Sequence, residues 1–195
     1  MDLFLAISQG TGLALATGVR PFLPPLLAGA LARADAGVDF SGTDFSFLES
    51  VPFLAVMLGL TAIATTVGRR EQASLVVRVL GAMAIVLGAL EFAGSLAEES
   101  YAGGPGLVAG AAIALLGFLA AAAFFDGARS RLAARGESGS ASLLTLIADA
   151  ASLVLAALAV FVGPLSYLAL AFCVWLLAAQ RRRSARKYEG LRVLR

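Results

Sequence analysis

From Leu143 to Ala179 the chain carries one charged residue, Asp149, and one strong turn signal, Gly163-Pro164. An α-helix rises about 1.5 Å per residue and the hydrocarbon core of a bilayer is about 30 Å thick, so about 20 apolar residues cross it once. This block is too long for one crossing, and Gly-Pro divides it. The pattern predicts a helical hairpin, Leu143–Val162 and Leu165–Ala179, with the second arm continuing through Gln180 to arginines at the interface.

Four further apolar stretches precede it: Ala6–Ala32, Val51–Val67, Leu75–Leu96 and Leu107–Phe125. The 195 residues are 59% hydrophobic and 14% charged, with a mean hydropathy of +0.88. A soluble domain of this size cannot hide so much apolar surface, and a disordered chain has the opposite balance. The expected fold is all-α: a polytopic membrane helical bundle of six transmembrane helices, forming a single membrane domain over residues 1–195.

Arginine and lysine set the expected orientation. Arg69, Arg70, Arg78, Arg129, Arg131, Arg135 and the basic tail 181–195 fall on one side, which the positive-inside rule makes cytoplasmic. The other side receives Arg33 together with Asp35, Asp39, Asp44, Glu49, Glu98 and Glu99. Six spans then put both termini in the cytoplasm of a multi-pass cell-membrane protein, the inner membrane in a bacterium. A five-span chain that starts in the cytoplasm would put the tail arginines outside. The N-terminus has no basic region before its apolar run, which excludes a cleavable signal peptide. The loop Arg33–Ser50, with Phe40, Phe45 and Phe47 among its acidic residues, is expected to lie at the interface, and its spacing is not that of a calcium loop.

Three spans followed by three make an odd-numbered unit, so two such halves would face opposite ways. Gly10-Thr11-Gly12-Leu13-Ala14 matches Gly104-Pro105-Gly106-Leu107-Val108, and Ser46-Phe47-Leu48 matches Ser142-Leu143-Leu144 at a similar spacing. These matches predict a 3+3 inverted repeat with halves 1–97 and 104–180, an arrangement that places sites at the midplane.

The polar exceptions inside the spans carry the functional argument. Arg20 falls near the middle of the first stretch, followed by Pro21, Pro24 and Pro25. Prolines remove donors to the carbonyls of Thr17, Arg20 and Pro21, so a Pro-broken first helix is expected. Exposed carbonyls at that depth are tolerated only inside protein or beside a water-filled cavity. A charge there needs a partner: Asp149 is the first candidate and Glu91 the competitor. A carboxylate left unpaired could carry protons. The expected pathway residues are therefore Arg20, Asp149, Glu91, Thr17, Pro21 and Pro24. Thr61, Thr65 and Thr66 are expected to bond their own helix backbone, and Arg78 to snorkel.

The chain has no His, so His-based metal sites, His-ligated haem and His general bases are excluded. Its one Cys, Cys173, cannot form an internal disulfide and reads as a small buried hydrophobe. No P-loop, dinucleotide fingerprint, nucleophile elbow or CxxC is present. No cofactor, metal or catalytic activity is expected, and the basic charge sits beside apolar spans, which points to lipid headgroups in place of nucleic acid.

Gly18-x-Arg20-x-Phe22-Leu23-Pro24, together with Ser142-Leu143-Leu144, Asp149, Pro164 and a terminal arginine cluster, resembles a family of small bacterial membrane proteins, the domain-of-unknown-function family numbered 4126. That family carries an acidic stretch and Asp-Lys after its second span, where this chain reads Thr65-Thr66-Val67-Gly68-Arg69-Arg70. The resemblance implies an integral membrane protein and singles out Arg20 and Asp149. The function expected from the residues is a small transporter or channel for an anionic or zwitterionic solute or lipid. The alternative is a scaffold or assembly protein in which Arg20 and Asp149 form a structural clasp. Membrane lipids are the expected partners, and short Gly/Ala-rich helices favour a homo-oligomer.

Overall fold

The computed structural model describes residues 3–67, 74–133 and 140–189. They form α1 (Leu3–Val19), α2 (Leu23–Arg33), a one-turn 3-10 helix (Ser46–Glu49), α3 (Val51–Val67), α4 (Ser74–Glu98), α5 (Gly103–Ala133), α6 (Ser140–Phe161) and α7 (Leu165–Glu189). No strand occurs among the described residues. Among the described residues three segments are long and apolar enough to cross a bilayer: Leu75–Glu98, Gly103–Phe125 and Leu143–Phe161. The apolar parts of α1 and α3 are shorter, Leu3–Val19 and Val51–Thr65. The Gly163-Pro164 division between α6 and α7 is as expected.

α1 is the core of the bundle. Every residue from Ser8 to Gly18 is buried, so this stretch of the helix has no solvent or lipid face, whereas Leu3 and Phe4 at its start are exposed. Small residues make that enclosure possible. A Cβ at Gly117 of α5 would lie 2.5 Å from the Leu15 carbonyl oxygen, and one at Gly18 would collide with the Ala114 carbonyl, so the α1 and α5 backbones touch. α4 closes the other flank, where Gly10 abuts Phe92 and Gly88 abuts Ala14.

The first apolar stretch is not one broken crossing. α1 ends where Pro21 cannot donate to Thr17, and Arg20 closes its last bond to the Ala16 carbonyl at 3.0 Å. Pro24 and Pro25 then occupy the first turn of α2, where a missing N–H has no intrahelical partner to lose. These two prolines start a helix. The chain reverses between the two: Gln9 Nε2 donates to the Gly37 carbonyl at 3.0 Å, and Leu13 and Ala16 share a core cluster with Ala28 and Ala32. α1 and α2 are therefore the two legs of a hairpin with Arg20 at its tip.

That reversal changes which ends meet. Gly37 packs on Val160, and Gly163 packs on Ser8. The start of α1, the loop after α2 and the α6–α7 turn thus lie together, with Glu98 binding the Asp39 N–H at 2.9 Å beside them. We call this the acidic end. Arg181 and Arg182 of α7 lie about 24 Å further along that helix, at about 1.5 Å per residue. The expectation of both termini on one side does not fit this path, because α1 begins at the acidic end and α7 leaves it. Arg69, Arg70 and Arg135 lie outside the described residues, as do the side chains of Arg129, Arg131 and the tail beyond Arg182.

The expected inverted repeat also fails at its first matched pair. Ala6 and Ile7 share a cluster with Leu96 and Ala109, whereas Gly18 meets Ala114 and Gly117. α1 and α5 therefore run in the same direction, whereas inversion requires opposite ones. Glycine and alanine recur in tightly packed helices for steric reasons, and that recurrence produced the match.

The loop after α2 does not lie flat at an interface. Phe40 is fully buried and lies over Gly94, with Val38 and Leu48 in the same core cluster. Phe45 covers Gly103, and only Phe47 stays exposed. Missing side chains at Gly94 and Gly103 leave room for the rings. The loop caps the bundle from the acidic end.

Candidate functional site

Arg20 leaves the tip of the hairpin toward α6. Its Nε lies 2.7 Å from Asp149 Oδ1, and its Nη2 donates to the Thr145 carbonyl at 3.1 Å. Thr145 and Asp149 are four residues apart on α6 and so share one face. The structure therefore brings together the pair that the sequence favoured. Both side chains remain partly accessible, at 28% for Arg20 and 20% for Asp149.

Glu91 does not compete for Arg20 in this arrangement. It is 1% exposed, and its Oε2 accepts from the Thr17 hydroxyl, itself fully buried. Ser95, one turn along α4, donates to the Glu91 main-chain carbonyl at 3.0 Å. Glu91 Oε1 meets no hydrogen-bond partner among the described residues. Thr17 and Arg20 are three residues apart, so the two polar contacts are one turn apart along α1.

The prolines hold this geometry without taking part in the contacts. Pro21 is half-buried at the reversal and Pro24 is buried in the first turn of α2. The expected row of carbonyls freed along a broken helix reduces to the turn itself, because Pro24 and Pro25 begin a new helix. Thr61 and Thr65 donate to the Met57 and Ala62 carbonyls of their own helix, as expected, and the Thr66 side chain lies outside the described residues. Arg78 is exposed.

Two buried polar residues near the acidic end stand outside the sequence expectations. Gln9 is buried and ties α1 to the loop after α2, and Ser166 is buried against Gly12. A lone Gln inside an apolar run was the available signal for the first, and nothing marked the second. Thr17 stands out in the sequence for the carbonyl that Pro21 leaves free, whereas the contact uses its hydroxyl. Among the described residues no group of three His, Cys, Asp or Glu could hold a metal ion. A surface pocket of about 310 Å³ at the acidic end is lined by Arg33, Asp35, Asp39 and Glu49, away from Arg20.

Comparison with protein-family models, curated proteins and solved structures finds no match to this chain.

Proposed function

We propose that this chain is a small membrane transporter or channel for an anionic or zwitterionic solute, lipid phosphate included. Its site lies at the α1–α2 reversal around Arg20 and Asp149, with Thr17 and Glu91 one turn deeper. The observation that carries this reading is the partly open ion pair at the tip of the hairpin. An incoming anion can exchange with Asp149 at a guanidinium that is already desolvated on one side. Membership of the resembled family, lipid contact and self-association belong to the same proposal. So does sidedness: the positive-inside rule puts the arginine-bearing end of α7 in the cytoplasm. The acidic end and the start of α1 then face outward, and the hairpin enters from outside.

One observation favours a second reading, a clasp in a scaffold protein. Arg20 is held by two α6 groups on one helix face, which also fixes α1 against α6. Proteoliposomes challenged with inorganic phosphate, glutamate and betaine separate the two. Transport predicts flux above empty vesicles for at least one probe, lost in Arg20→Ala. No flux above empty vesicles in either protein, with the fold intact, supports the clasp, and equal flux in both overturns Arg20 as the transport site.

A further inference from the structure

We infer that Glu91 is a proton-exchange site: it holds a proton in the present conformation and gives it up when the end of α1 moves. Glu91 and its neighbours Thr17 and Ser95 are each at most 1% exposed. One carboxyl oxygen takes the Thr17 hydroxyl, and the other meets no partner among the described residues. Sealed from water with one neutral neighbour, a carboxylate anion is far costlier to hold than the neutral acid. Thr17 suits either state, because a hydroxyl both donates and accepts.

The charged groups on the surrounding elements leave that need unmet. α5 carries no titratable side chain from Gly103 to Phe125, and α3 carries none from Val51 to Thr65. α1 itself carries no charged side chain, and Arg20, which follows it, is engaged with Asp149 and Thr145 of α6. α2 contributes Arg33, at its acidic end, where the loop packs. α7 offers Tyr167 and Cys173 before its arginines. On α4 itself Arg78 and Glu98 are respectively more than three turns before and about two turns after Glu91.

Exchange, as opposed to permanent storage, follows from where Thr17 sits. It occupies the last turn of α1, three residues before the arginine that pins that turn to α6. Displacing Asp149 from Arg20 removes the tie to α6 at the end of that turn, next to the group that seals Glu91. Coupling of this proton to a solute rests on the transport reading, whereas occupancy of Glu91 does not.

Infrared difference spectra of the protein in lipid bilayers, taken across pH in H2O and D2O, test the inference. The expected result is an acid carbonyl band that falls as pH rises, shifts in D2O and is missing in Glu91→Gln. Thr17→Val keeps the acid and removes its neighbour, so the band should move to higher frequency, which covers a Glu91→Gln protein that does not fold. Three results overturn the inference: no band that depends on Glu91, a band indifferent to pH and D2O, or a band abolished by sodium at constant pH. Solute flux scored on the same preparations keeps the two ideas apart. Flux without the band defeats the proton site alone, and the band without flux defeats the transport reading alone.

Discussion

The Gln9 side-chain amide and the Gly37 carbonyl meet at 3.0 Å although 28 positions separate them in the chain. A helix running straight on from Gln9 would carry Gly37 about 40 Å away at about 1.5 Å per residue, so this bond records the reversal at Arg20–Phe22. It places the start of α1 beside the acidic loop. In a Cys173→Ala background, Leu3→Cys and Asp44→Cys should therefore react with a membrane-impermeant maleimide from the same side of intact vesicles. Labelling of Leu3→Cys from the side opposite to Asp44→Cys would restore a first helix that crosses.

The Arg20–Asp149 pair should show energetic coupling. Its side chains are partly accessible, so the usual cost of stranding one buried partner is reduced, to about 1–3 kcal/mol for Arg20→Ala or Asp149→Ala. Reversible unfolding in mixed micelles should give a coupling energy between about 0.5 and 3 kcal/mol for the double-mutant cycle. Additive single effects would mean that the contact contributes nothing to the fold.

Gly117→Val tests the contact between α1 and α5. The new side chain begins 2.5 Å from the Leu15 carbonyl oxygen, inside a backbone contact that cannot give way locally. A loss of about 1–3 kcal/mol is expected, read as a lowered midpoint of thermal unfolding in detergent. Gly59→Ala is the control, since a Cβ there meets nothing within 4 Å. It should leave stability unchanged or raise it by up to about 1 kcal/mol through helix propensity.

Acid should loosen the loop through Asp39. The Ser41 hydroxyl and then the Ser41 backbone N–H hold its carboxyl below the ordinary value of 3.8. A lowered pKa in the folded state means that the stabilisation is complete above the ordinary value and is lost as pH falls through the folded one. The stability difference between the natural protein and Asp39→Asn should therefore be constant at neutral pH and shrink below about pH 4. A difference that persists unchanged at low pH would remove Asp39 as its source. The group is exposed, so the effect is small.

Several elements are legible in the residues because each rests on a local rule. Gly163-Pro164 had to turn, and the stretches around Val51–Val67 and Leu75–Leu96 had only one way to satisfy their backbones in an apolar medium. The Arg20–Asp149 contact was legible because charges are scarce and each needs a partner. The hairpin was not. Pro21 followed by Pro24-Pro25 reads equally as a kink and as a stop followed by a start, and the choice is made by contacts between residues such as Gln9 and Gly37. Phe40 was misplaced for a related reason. Its acidic neighbours mark an interface, while the space that receives it is created by Gly94, far away in sequence.

The buried position of α1 carries a consequence for how the protein is made. The hairpin leaves the ribosome before α4, α5, α6 and α7, the helices that enclose it. Its buried Ser8, Gln9, Thr11 and Thr17, and the partly buried Arg20, cannot rest in bare hydrocarbon while those partners are still being synthesised. The legs of the hairpin must therefore wait at the membrane surface or beside the insertion machinery, and enter last. Assembly of this bundle runs against the order of its chain, and its first helices are the final ones to reach their place.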